Sequence, residues 1–445
     1  MEIIVSMDLI FEEAKKHEKG ENIEVFMEKW EQDSVGFEMS KLKKIRTQSI
    51  TGYGLRLIKE GRVGFSGGTA CDPEDFVQRA LDSAKYGPQA RFELPEATDY
   101  KTVKTYDEKI YNMTVEEMVR KGREVLEFLT NSQPGYQYDV TLDRFVGKKA
   151  LLSGRMDISR NSTAYSFAIV AHSFVEGNFL NYYEGFSYST LDMMQKEETD
   201  EMSTARKVLS ILELAENEDE ILSGSYPVIF SPNSFAEILH SILTGLNGRA
   251  IEKGASPLAG KMYEQVLPEF VNVYDDGTVD GSPLSAPFDD EGIPVKRQAL
   301  IEKGVIKNFI LDLQTAGALK MQPSGNGQRS YSSLPRPYSN VVFFSEGDSF
   351  RGELIKKIST GLYVEQVIGG HTGNPYSGDF QLNFDLGFKI KNGSITGRVK
   401  NIMIAGNAYR LFDSLCGISV EKKWAGKYCL PYVCFEDVRV AGRQP

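Results

Sequence analysis

This chain of 445 residues is poor in the side chains that most often build catalytic centres, with 4 histidines and 4 cysteines. Cys71, Cys416, Cys429 and Cys434 include no CxxC pair, so neither a zinc ribbon nor a dithiol redox site is indicated. A chain this long folds without disulfides, and buried or incidental thiols in a reducing cytoplasm are expected. Cys429 and Cys434 stand close enough in sequence to keep a ligand role open. Basic residues are also short: 51 against 62 acidic, a net charge of -11. That balance argues against direct, nonspecific nucleic-acid binding, which needs a cationic surface to displace counterions, although a local basic groove is not excluded. No apolar run is long enough to span a bilayer, and no signal peptide or lipidation motif is evident, so a cytoplasmic protein with no membrane partner is expected. Serines are plentiful, yet no GxSxG elbow accompanies them, which disfavours a serine hydrolase.

What is present is a soluble, globular composition, with 41% hydrophobic and 25% charged residues and a mean hydropathy of -0.31. The length favours two domains. Met1 to Gly20 reads as a short helix ending at glycine, followed by alternating stretches through GYGLRLIKEGRVGFSGG. There the Lys59-Glu60-Gly61 turn predicts a hairpin. Asp72-Pro73 opens a second helix, and Thr114 with Glu117 forms a capping box for a third. Tyr138 to Thr190 is aromatic strand material. The expected fold is α+β, with antiparallel β-rich sheets and packed helices. Residues 1–200 would form an N-terminal domain, 201–224 an acidic helical linker and 225–445 a β-rich C-terminal domain. The polar loop PSGNGQRSYSSLPRP, Pro323 to Pro337, is expected to be mobile.

The most informative stretch is SPNSFAEILHSILTGLNGR, from Ser231 to Arg249, directly after a short strand. Pro232 suits the first turn of a helix, and Phe235, Ile238, Leu239, Ile242 and Leu246 mark one apolar face. His240 stands among them.

With TGYGLRLIKEGRVGF, GRAIEKGASPLAGK, FDDEGIPVKRQALIEKGVIKNFILD and GGHTGNPYSGDF in this order, the chain resembles the TldD/PmbA family, long labelled modulators of DNA gyrase. TldD-type members carry HExxxH on the corresponding helix, two histidines for zinc and a glutamate for the water. Here that string is HSILTG: His240 falls on the first histidine, Ser241 on the glutamate and Gly245 on the second histidine. Residues five apart lie about 140° apart on an ideal helix, so the motif needs a helix break near its second histidine, and Gly245 keeps that tendency without the ligand. A further cysteine ligand of TldD-type members, in a GxCGK-like string, has no clear counterpart in VEKKWAGKYCLP; Cys416 lies before it and Cys429 after. A catalytic zinc needs about three protein ligands and a carboxylate base, which this pattern does not supply. The resemblance therefore implies the PmbA branch, also called TldE. Such a subunit has no metal of its own, is inactive alone, and pairs with a zinc-bearing TldD-like subunit that trims peptides in a shared cavity. A homodimer is a further option.

Four residues are candidates for substrate contact: His240, His371, Asp379 and Arg329. For His240 the competing readings are a packed core histidine, which is preferred, a cleft-lining side chain or a metal ligand. His371 and Asp379 flank a glycine-rich turn that would be exposed. Arg329, with Arg336, could clamp a peptide carboxylate, though both are expected to keep their loop solvated. Asp275-Asp276 and Asp289-Asp290-Glu291 could bind a hard cation, but they read better as turns. Two alternatives remain: a metallohydrolase with a site rearranged around His240 and His371, and a regulator that binds gyrase as a protein.

Overall fold

The computed structural model describes residues 6–69, 72–175, 178–369 and 376–442. The fold is α+β. Its first sheet has six antiparallel strands: β1 (Ile23–Glu38), β2 (Lys41–Lys59), β3 (Arg62–Gly68), β4 (Gln137–Ser153), β5 (Met156–Val175) and β6 (Asn178–Tyr188). They lie in the order β3-β2-β1-β4-β5-β6. The β2–β3 hairpin turns at Glu60 and Gly61, with φ of 51 and 74, the left-handed pair that a two-residue hairpin loop needs.

Helices cover one face of this sheet. Met7–Ala14, capped by Ser6, and Pro73–Ala84, capped by Asp72, bury Ile10, Phe76 and Ala80 against Val25, Leu55 and Leu57. The Val115–Ser132 helix has the expected Thr114–Glu117 capping box. It covers the other end together with the Glu201–Leu214 helix, over Val35, Phe37, Val140 and Leu142. The latter helix, expected from its acidic composition to be a linker, instead buries Ala205, Val208, Ile211 and Leu212 in this core. Their three- and four-residue spacing puts them on one helical face. Of its two acids, Glu201 is itself buried, accepting from the Tyr165 hydroxyl at 2.7 Å and pairing with Lys121 at 2.6 Å.

Strands of the second half close a ring. Gly224–Phe230 pairs with Thr360–Ile368, which pairs with Asp379–Lys391; that strand pairs with Met403–Asn407, then Tyr428–Ala441, and the last returns to Gly224–Phe230. Most pairings are antiparallel, but two are parallel, Leu362–Val364 on Val228–Phe230 and Val342–Phe343 on Tyr428–Cys429. A single core cluster includes Leu142 and Tyr182 from the first half and Tyr363, Phe388 and Tyr432 from the second, so the halves share buried contact.

Candidate functional site

The Pro232–Gly245 helix follows its strand as expected, with Ser231 as N-cap and Pro232 in the first turn. The Ser231 hydroxyl also donates to the Glu365 carbonyl at 2.6 Å, tying the helix start to a neighbouring strand. Phe235 packs against Phe344, Phe412 and Phe435, at ring centroid separations of 5.0, 6.2 and 6.3 Å. The helix is therefore seated by its aromatic side.

His240 is not in that core. It is exposed, with Nδ1 3.2 Å from the Tyr428 hydroxyl. The preferred expectation of a core histidine is thus corrected: its position lies outside the apolar stripe. Ser241 and Gly245 are buried. A Cβ at Gly245 would overlap the Tyr409 hydroxyl, so an imidazole there would need Tyr409 to move. Burial pushes the Tyr409 phenol up to about 12, and its buried hydroxyl has no hydrogen-bond partner among the described residues.

The hairpin of Leu415–Ala425 and Tyr428–Ala441 turns at Gly426 and Lys427. It presents Tyr428 to His240, and strand alternation sends the next residue, Cys429, to the opposite side. Burial pushes the Cys429 thiol up to about 11, further from the thiolate a zinc ion needs. Cys416 donates to the Cys434 carbonyl at 3.3 Å. Among the described residues no group of three His, Cys, Asp or Glu side chains is placed to hold a metal ion. One exposed imidazole, a serine, a glycine blocked by tyrosine and a neutral phenol do not fit a catalytic zinc.

His371 lies outside the described residues. Asp379 is exposed and accepts from Ser377 Oγ and Asn407 Nδ2, both at 2.8 Å. The Asn407 and Ser377 bonds hold its carboxyl below the usual range. Asn407 in turn accepts from the Tyr409 amide at 3.1 Å, so Asp379 helps orient the turn that delivers Tyr409 to Gly245. The structure therefore brings Asp379, through Asn407 and Tyr409, to the motif helix, and leaves Arg329 elsewhere.

Arg329 is buried, not solvated. Its guanidinium is 2.5 Å from Glu24 and lies 4.3 Å from the Phe26 ring centroid. The Pro323–Pro337 loop that carries it is likewise pinned, with Ser324, Asn326 and Gly327 buried and the Arg329 amide donating to Asp290 at 3.0 Å. Around it lies a cluster that composition alone did not reveal. Arg56 bridges Glu24 at 3.0 Å and Glu291 at 2.6 Å, while Lys149 and Arg160 reach Asp290 at 2.8 and 2.6 Å. Burial opposes ionisation of Glu24, but Arg329 and Arg56 outweigh it and hold that carboxyl low. Burial also opposes ionisation of Asp290, and Lys149 and Arg160 overcome it, holding the group at about 2. Asp289 goes the other way: burial, then the charge of Glu291, pushes it up to about 8. The FDDEGIP string does turn, at Gly292 with φ of 83, yet its carboxylates are buried: Asp290 faces Lys149 and Arg160, Glu291 faces Arg56, and Asp289 accepts from the Glu291, Ile293 and Gly327 amides. The signal available in sequence was three adjacent acids beside isoleucine, proline and valine, an apolar setting that solvated turns do not require.

Two family profiles match the chain: residues 223–442 fit the PmbA/TldA metallopeptidase C-terminal domain and residues 23–84 fit PmbA/TldA metallopeptidase domain 1. An uncharacterized protein of Methanocaldococcus jannaschii is 26% identical over 436 residues, 94% of this chain and 96% of that one. A Buchnera aphidicola protein named as a metalloprotease TldD homolog is 31% identical over 206 residues, covering 46% of this chain and 42% of its own length. In fold, the chain is similar to the crystal structure of TldE from Thermococcus kodakarensis, with a TM-score of 0.88, 21% identity, and coverage of 98% of this chain and 100% of that one.

Proposed function

Because this chain belongs to the PmbA/TldD metallopeptidase family, we propose that it is a supporting subunit of a two-chain peptidase. It has no zinc centre of its own and shapes the peptide cavity beside a TldD-like catalytic partner. The observation that carries this reading is the motif helix. His240 faces outward onto a phenol, Ser241 cannot serve as a base at neutral pH, and Tyr409 fills the space a second histidine would need. The likeness of fold to a TldE structure supports it.

The chemistry left to this chain is binding and orientation. Holding a peptide in an extended form lowers the entropic cost of presenting it to a catalytic centre on the partner. The test uses protein purified without chelators. Metal content is measured, and peptide cleavage is assayed with and without a TldD-like partner. The expected result is no stoichiometric zinc, no cleavage by this chain alone, and cleavage that increases when the two are combined. One zinc per chain, lost in His240→Ala, with cleavage in the absence of any partner, would overturn the proposal and favour the rearranged metallohydrolase.

A further inference from the structure

Cys429 and Cys434 are near one another in sequence, but the fold sets Cys434 against Cys416 instead. Cys434 lies in the Tyr428–Ala441 strand, between the Leu415–Ala425 strand on one side and Gly224–Phe230 on the other. Leu415 faces Phe435 and Gly417 faces Cys434, so Cys416 is the extra residue of a β-bulge. A bulge sets two residues of one strand opposite one of its partner, and here Cys416 and Gly417 both oppose Cys434. A Cβ on Gly417 would stand 3.5 Å from the Cys434 Cβ, which shows how near the bulge passes to that side chain. The Cys416 sulfur is 3.3 Å from the Cys434 carbonyl, and the two thiols are hydrogen-bonded to each other.

We propose that Cys416 and Cys434 form a reversible two-electron oxidation site for hydroperoxides, with Cys416 as the attacking sulfur and Cys434 as the resolving one. Neighbouring strands run about 4.8 Å apart, within the separation of about 4.4–6.8 Å between Cα atoms that a disulfide spans. Exposure divides the roles. Cys416 is exposed and meets solutes, whereas Cys434 is only 5% exposed and is reached through Cys416. Among the described strands, Leu415–Ala425 pairs only with Tyr428–Ala441, so the bulge lies at a sheet edge. The hydrogen bond from the Cys434 thiol holds Cys416 below the ordinary thiol value, and the same bond, then burial, pushes Cys434 up. Cys416 is therefore the better thiolate, while Cys434 keeps its proton until an electrophilic sulfur forms beside it.

The Cys416 thiolate attacks the terminal oxygen of the hydroperoxide. An S–O bond forms as the O–O bond breaks, leaving a sulfenic acid and an alkoxide or hydroxide that takes up a proton. The Cys434 sulfur then displaces the hydroxyl, and its own proton leaves with that oxygen as water. Each sulfur has lost one electron and the peroxide has gained two. A dithiol reductant reverses the bond and becomes a cyclic disulfide itself. Cys434 also pairs with Ile229, just before the Ser231 cap, and shares its strand with Tyr428, the partner of His240. The bond thus forms within the strands that frame the motif helix.

The test uses the full, reduced chain. Under native conditions a maleimide should label Cys416 at least about tenfold faster than Cys429, whose thiol burial pushes up to about 11. Equimolar hydrogen peroxide, followed by alkylation and non-reducing peptide mapping, should yield a Cys416–Cys434 disulfide that dithiothreitol returns to two thiols. Cys434→Ser should leave Cys416 as a sulfenic acid that dimedone traps, and Cys416→Ser should form no disulfide. Cys71→Ser combined with Cys429→Ser should leave the bond unchanged. Thermal unfolding checks each variant, and labelling and mapping of the unaltered chain decide the matter even if Cys434→Ser does not fold. Equal labelling of Cys416 and Cys429, no disulfide, a disulfide joining any other pair, or over-oxidation of Cys416 beside an intact Cys434 thiol would each overturn the proposal.

Discussion

The face of the first sheet that bears Glu24, Arg56 and Gly147 is sealed at one end and open at the other. At the sealed end, Glu24, Arg56, Glu291 and Arg329 are each at most 5% exposed and pair with one another. Phe26, Leu151, Met156 and Phe288 continue the seal. Past Lys149 and Arg160 the same strands change character: Gly147 removes bulk, Ser162 and Ser166 supply hydroxyls, and Trp30 and Phe145 stand half-buried. The strands are the same at both ends. The difference lies in whether the opposing loop delivers a matching charge. The Asp289–Glu291 turn and the Arg329 loop do so at one end; at the other, cavities are lined by Ser285 and Trp424.

The contrast breaks most visibly at the seal. Arg56→Ala strands two buried carboxylates and should lower stability by about 3–5 kcal/mol, read from denaturant unfolding. A loss below about 1 kcal/mol would mean the end is not sealed as described. Gly245→Ala, which drives a Cβ into the Tyr409 hydroxyl, should cost about 1–3 kcal/mol. Tyr409→Phe should recover part of that loss in the double variant and, alone, should be neutral or stabilising, because the hydroxyl it removes is buried and unpartnered. Additive effects in the double-variant cycle would count against direct contact between the two positions.

The acid limb of stability sharpens the picture. Asp290 is held at about 2 in the folded chain, below its unfolded value of about 3.9. Its contribution is therefore fully present above the unfolded value and is lost as pH falls through the folded one. Unfolding free energy measured from about pH 5 down to about pH 2 should fall less steeply in Asp290→Asn than in the parent. Parallel curves would remove Asp290 from the cluster. At the open end, Ser162→Ala should change stability by less than about 0.5 kcal/mol, as befits a hydroxyl facing a cavity. A large loss there would make the open end part of the packing.

Much of the local structure was legible because its causes are local. The Asp72-Pro73 and Thr114–Glu117 starts, the Glu60-Gly61 turn and the strand leading into Ser231 all depend on residues within a few positions of each other. The β-rich C-terminal half was also legible, although its two parallel pairings were not. The site was only partly so. That HSILTG lacks a second imidazole and a carboxylate follows from composition alone. His240 as an exposed partner of Tyr428 does not, since the two are 188 residues apart. Arg329 was misjudged for the same reason: a polar loop rich in serine, glycine and proline looks solvated until its counter-ion is known, and Glu24 lies 305 residues before it (329 − 24). The Glu201–Leu214 helix was grouped with a linker because Glu216, Glu218, Asp219 and Glu220, which follow it, give residues 201–224 their acidic character.

Sequence by itself determined the helix starts, the tight turns, the α+β class and the absence of a second imidazole and a carboxylate from HSILTG, because dihedral preference, capping and donor chemistry belong to residues and their near neighbours. Tertiary structure alone decided which charges are buried and paired, that Tyr409 fills the space beside Gly245, and that Trp30 and Trp424 line cavities on one strand face. Those outcomes depend on contacts between segments far apart in the chain, where desolvation and Coulomb attraction act only after the fold brings the groups together.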